Sequence, residues 1–111
     1  MKVFVVSFGD GANSPVSRLV ASGAPDDVET KDGGAAYKRI SRMVPDLVVF
    51  DGDRRPGHVA QTLRAVLQLK KLQQSRFVVV AAHPSPQFME FANDARLRIV
   101  SPEEAREVLP G

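Results

Sequence analysis

Short apolar runs without polar alternation punctuate the chain, and each ends in a cluster of turn-forming residues. The sharpest is Pro45-Asp46-Leu47-Val48-Val49-Phe50-Asp51-Gly52-Asp53. Its apolar part, residues 47–50, is short and rich in β-branched side chains. That pattern predicts a strand buried on both faces, as in the middle of a parallel sheet. Residues 3–7 and 77–82 carry the same signature and predict two more such strands. Residues 28–30 are short and polar, which predicts an edge strand. Residues 97–100 predict the last strand.

Helical periods lie between these runs. Ser14-Pro15 reads as N-cap and first helical residue, Val16, Leu19 and Val20 as the apolar stripe, and Gly23 as the stop. A second helix is predicted over 35–44, with Ala36, Ile40, Met43 and Val44 inward and Lys38, Arg39 and Arg42 outward. Pro45 ends it. A third is predicted over 58–73, with Val59, Leu63, Val66 and Leu67 on one face. Leu72 falls off that stripe and is expected to offer apolar surface to a partner. Ser85-Pro86 starts a fourth helix, with Phe88, Phe91, Ala92 and Ala95 inward. Ser101-Pro102-Glu103-Glu104 is a capping box opening a final helix that carries Ala105, Val108 and Leu109. Strands and helices alternate with short connections. The expected fold is α/β: a three-layer, doubly wound, five-stranded parallel sheet in the flavodoxin-like order 2-1-3-4-5.

Composition narrows the class. The 111 residues form one expected domain spanning 1–111, with 43% hydrophobic and 25% charged residues. The net charge of +2 lacks the clustering of a dedicated nucleic-acid binder. There is no cysteine, so disulfide, thiolate and cysteine–zinc chemistry are excluded. The opening apolar run is too short for a signal peptide, and no segment approaches the roughly 18 apolar residues of a membrane span. The expectation is a cytoplasmic protein that starts directly on its first strand.

In open parallel sheets the functional crevice lies beyond the carboxyl ends of the strands. Asp51 and Asp53 fall there, although acid and Gly after a strand are equally ordinary turn chemistry. The run from Pro45 to Asp51 resembles the receiver (CheY-like) domains of two-component response regulators, in which Pro-Asp-Leu-Val and two apolar residues precede the Asp that takes a phosphoryl group. Lys2-Val3-Phe4-Val5-Val6, Gly34, residues 77–82 and Ser101-Pro102 extend the similarity over nearly the whole chain. The resemblance makes Asp51 the phosphoacceptor-equivalent residue. The rest of the pocket departs from the pattern. Ser7 and Phe8 stand where receivers carry a magnesium-binding pair of acids, with Asp10 the nearest acid. Ala81 replaces a Ser or Thr, Ser101 replaces a Lys, and Arg54-Arg55-Pro56 replaces Met-Pro. Asp53 and His83 complete the degenerate pocket.

Phosphoryl transfer to a carboxylate builds negative charge beside a group already negative, and it needs a cation and fixed donors. Ser7 and Phe8 cannot stand in for the hard oxygen ligands magnesium requires. The expectation is therefore a pseudo-receiver, not an enzyme, without a cofactor. It would act by contact with another signalling protein or domain, or as a homodimer through the face of the fourth and last helices. Two alternatives stand beside it. One is a working phosphorelay receiver phosphorylated on Asp51, with Mg2+ held by Asp10 and Asp51 and helped by Asp53. The other is a small-ligand or nucleotide binder using the loop from Gly9 to Ser14. Lesser readings are His83 as general base rather than a surface turn residue, and Ser101 as nucleophile rather than helix cap. Arg54, Arg55 and His58 could also join Lys38, Arg39 and Arg42 as an anion patch instead of a solvated face.

Overall fold

The computed structural model describes residues 2–6, 27–31, 33–53, 56–83 and 85–108. Strands β1 (Lys2–Val6), β2 (Asp27–Lys31), β3 (Leu47–Asp51), β4 (Arg76–Val80) and β5 (Leu97–Val100) form one sheet in the order β2-β1-β3-β4-β5. Every neighbouring pair is parallel. Helices α1 (Gly33–Met43), α2 (Pro56–Leu67), α3 (Pro86–Met89) and α4 (Pro102–Val108) fall between or after the strands. A 3-10 turn, Lys70–Leu72, follows α2.

The unbroken apolar runs are explained by where their side chains go. Successive strand residues point to opposite faces, and here both faces are covered. Phe4, Val6, Val48, Phe50, Phe77 and Val79 meet Ala36 and Ile40 of α1 and Val59, Leu63 and Val66 of α2. On the other face Val3, Val5, Val49, Val78, Val80 and Val100 pack in one cluster with Ala105 of α4. All five residues of β3 are buried. Phe4, Phe50, Phe77 and Phe88 are fully enclosed, and each such burial stabilises by about 1.5–3 kcal/mol.

Several boundaries differ from the expectation, each for a local reason. Helix α1 stops at Met43 because Val44 takes a left-handed backbone, φ 47°, while its N–H still bonds the Ile40 carbonyl at 3.0 Å. This is the common left-handed helix ending, filled unusually by a β-branched residue. It swings Val44 off the helical face, so Val44 is exposed and not inward.

The third predicted helix ends at Leu67, well short of residue 73. Its end is made from outside. The Arg96 guanidinium donates to the Leu67 carbonyl at 2.9 Å and to the Leu72 carbonyl at 3.0 Å. A cation there also suits the negative end of the helix dipole. The break resets the phase, and Leu72 turns inward to become fully buried. Leu72 therefore offers no surface to a partner.

Only one turn of the fourth predicted helix forms. Phe88 is buried and Phe91 half-buried, but Ala92 and Ala95 are exposed, because the chain leaves the helix after Met89 before their turn of the stripe. Strand β4 closes at Val80, because the Ala82 and His83 N–H groups turn to a side chain instead of continuing the ladder. The first predicted helix (residues 14–23), the loop before it, Arg54, Arg55 and Leu109 lie outside the described residues. Among the described residues, no helix is long and apolar enough to cross a membrane.

Candidate functional site

The carboxyl ends of β3, β4 and β5 bring Asp51, Asp53, Ala81, His83 and Ser101 to one edge of the sheet. Asp51 is the last residue of β3, opposite Val80 of β4, and only 4% exposed. A buried carboxylate is costly unless hydrogen-bonded. One of its bonds comes from the Asp53 backbone N–H, which donates to Asp51 Oδ1 at 3.3 Å across a tight Asp-Gly-Asp turn.

Gly52 at the centre of that turn is required by space. Its N–H donates to the Val80 carbonyl at 2.8 Å, carrying the ladder one step past the strand. A Cβ on Gly52 would lie 2.6 Å from Val79 Cγ1, 3.0 Å from the Phe88 ring and 3.2 Å from the Ala81 methyl. The backbone of β3 is thus pressed against β4 and the first turn after it. Ala81 is buried at the end of β4, and its N–H donates to the Val100 carbonyl at 2.9 Å.

Asp53 is exposed but committed. Its Oδ2 accepts the Ala82 N–H at 2.8 Å and its Oδ1 accepts the His83 N–H at 3.2 Å. Two successive backbone donors converging on one carboxylate form a small anion seat, filled here by the chain's own side chain. The sequence placed Asp53 in the pocket as a possible aid to a metal. Its bonds to the loop after β4 go beyond that expectation, and the sequence signal for them is an acid two residues past a strand end. The His83 side chain is exposed, as a surface turn residue would be. Ser101 forms the capping box as expected: its hydroxyl accepts the Glu104 N–H at 3.1 Å, and Glu104 accepts the Ser101 N–H at 3.2 Å.

Ser7, Phe8, Asp10 and the loop from Gly9 to Ser14 lie outside the described residues, as do Arg54 and Arg55 of the suggested anion patch. Lys38, Arg39, Arg42 and His58 of that patch are exposed on α1 and α2. Among the described residues, no group of three or more His, Asp or Glu side chains is placed to hold a metal ion.

No protein-family model matches the chain, and no curated protein matches its sequence. A solved structure does. It is described as the signal receiver domain of the response regulator NarL from Mycobacterium tuberculosis. The superposition has a TM-score of 0.51 at 20% sequence identity, covering 96% of this chain and 87% of that one. At that identity the likeness speaks for the fold: the chain has an α/β, parallel-sheet architecture similar to that of a response-regulator receiver domain.

Proposed function

We propose that the chain is an atypical receiver-like signalling module that works by protein–protein contact, as a binding domain and not as an enzyme. One observation carries this reading. Among the described residues at the carboxyl ends of β4 and β5 and just past β3, the side chains that could serve a phosphoryl group at buried Asp51 are replaced or already engaged. Ala81 brings a methyl where a hydroxyl would be needed. The Ser101 hydroxyl caps the last helix, and the Asp53 carboxylate holds the loop after β4. Holding a phosphoryl group needs a cation and fixed donors for the added charge, and Ala81, Ser101 and Asp53 offer neither.

The contact face in this reading runs from α3 through β5 to α4. Met89 stands 59% exposed on it, with the exposed Arg98 and Arg106 farther along. Glu90, Glu103, Glu104 and Glu107 are exposed there too, and an apolar anchor with a border of both signs suits a polar-rimmed surface on another signalling domain, or on a second copy.

The test is incubation with a small phosphodonor and magnesium, followed by intact mass. The expected result is an unchanged mass. A phosphoryl adduct on the native chain that disappears in Asp51→Asn would replace this reading with that of a phosphorylated receiver.

A further inference from the structure

The Asp53 tether gives a way to see how such a module holds its contact face without an added group. We infer that Asp53 is a built-in latch: its carboxylate fixes the loop at Ala82 and His83, and through it the Ser85–Met89 turn, in one standing arrangement. This deepens the reading above and rests on it.

Three observations support the latch. Both Asp53 oxygens accept backbone N–H groups from the loop, at 2.8 and 3.2 Å, and hydrogen bonds to an ionised acceptor are the stronger kind. Those two N–H groups lie beyond the end of strand β4 at Val80, and among the described residues the Asp53 carboxylate is what they donate to. The loop leads within two residues into Ser85, whose hydroxyl accepts the Gln87 N–H at 3.2 Å and starts the turn bearing buried Phe88 and exposed Met89. Phe88 in turn lies against Gly52, the residue just before Asp53. The carboxylate therefore closes a ring of contacts: from the end of β3 to the loop, from the loop to Phe88, and from Phe88 back to β3.

The ring makes Asp53 a positioning residue for the contact face. A loop held by an exchangeable anion would present its face only when that anion is bound. A loop held by a side chain two residues from Asp51 presents it at all times.

The experiment is backbone amide exchange with side-chain resonances on the full chain, comparing native protein with Asp53→Ala. Losing a charge-assisted bond of about 1.5 kcal/mol or more corresponds to roughly tenfold faster exchange. That acceleration is expected at Ala82 and His83. Gly52 and Ala81, held by ladder bonds to Val80 and Val100, should keep their protection. The Phe88 and Met89 side-chain resonances should move with Ala82 and His83. Should Asp53→Ala fold poorly, the near-isosteric Asp53→Asn keeps one acceptor oxygen and should give the same pattern at smaller amplitude.

Unchanged exchange at Ala82 and His83 would overturn the latch. So would accelerated exchange with Phe88 and Met89 unmoved, since the tether would then stop at the loop. No phosphodonor enters the measurement. Its failure is thus separate from a failure of the phosphorylation test.

Discussion

The two rims of the sheet are built differently. At the amino-terminal rim, residues at or just before the starts of β1, β3, β4 and β5 are tied to one another and to the end of α2. The Lys2 N–H donates to Asp46 Oδ2 at 2.8 Å, and the Arg76 N–H to the Asp46 carbonyl at 2.9 Å. The Ser75 hydroxyl, 4% exposed, donates to the Pro45 carbonyl at 2.7 Å. Arg96 clasps Asp94, the Leu67 carbonyl and the Leu72 carbonyl, and it also lies 5.4 Å from the Phe77 ring centre. At the carboxyl-terminal rim one exposed carboxylate, Asp53, does the comparable tying. Among the described residues, more side-chain ties lie at the first rim than at the second, which concentrates stability away from the end where ligands meet such sheets.

The contrast is breakable, and the largest effect belongs at the amino-terminal rim. Arg96→Ala strands two carbonyls and a carboxylate, and should cost about 3 kcal/mol in denaturant unfolding. Its effect also depends on pH. The hydrogen-bonded Arg96 guanidinium holds the Asp94 carboxyl below its ordinary value, against the opposing pull of partial burial. That part of the stability is complete above the unfolded aspartate value of about 3.9. It is lost as pH falls through the lower folded-state value. The gap between native and Arg96→Ala midpoints should therefore narrow in strong acid, and a constant gap would separate Asp94 from the clasp.

Gly52→Ala comes next, at about 2 kcal/mol, because Val79 and Phe88 must both give way to the new methyl. It tests whether the carboxyl-terminal rim is closely packed despite having few bonds. Ser75→Ala removes one buried hydroxyl bond and should cost about 1 kcal/mol. Asp53→Asn should cost least, under about 1 kcal/mol in global unfolding, since the bonds it weakens are exposed. If its global cost exceeded that of Arg96→Ala, the assignment of stability to the amino-terminal rim would be reversed. The Arg64–Glu90 pair, in which one guanidinium nitrogen donates to both carboxylate oxygens at 2.7 and 2.9 Å but both side chains are more than half exposed, belongs with the small effects.

What could be read in the sequence follows the range of the forces involved. Strands β1, β3 and β4 declared themselves because burial on two faces leaves almost no polar position in the run. The Ser101–Glu104 cap was legible because both partners lie within four residues. The end of α2 was not legible. The segment contains no Gly or Pro stop, and the group that ends it, Arg96, lies 29 positions beyond Leu67. Leu72 departs from the expectation for the same reason: its burial depends on a break in helical phase that the sequence does not mark. At the site, the placement of Asp51 at a buried strand end follows from the β-branched run. The attachment of Asp53 to Ala82 and His83 depends on how two parallel strands are registered, which no local pattern encodes.

The packing at Gly52 has one more consequence. Phe88 rests on the backbone at the acidic strand end, and the very next side chain, Met89, stands in water. Interior and exterior are joined there by one peptide link, with no chain of intermediaries. A partner docked at Met89, on the proposed reading, would sit one peptide link from a ring that already lies against the turn at the acidic strand end.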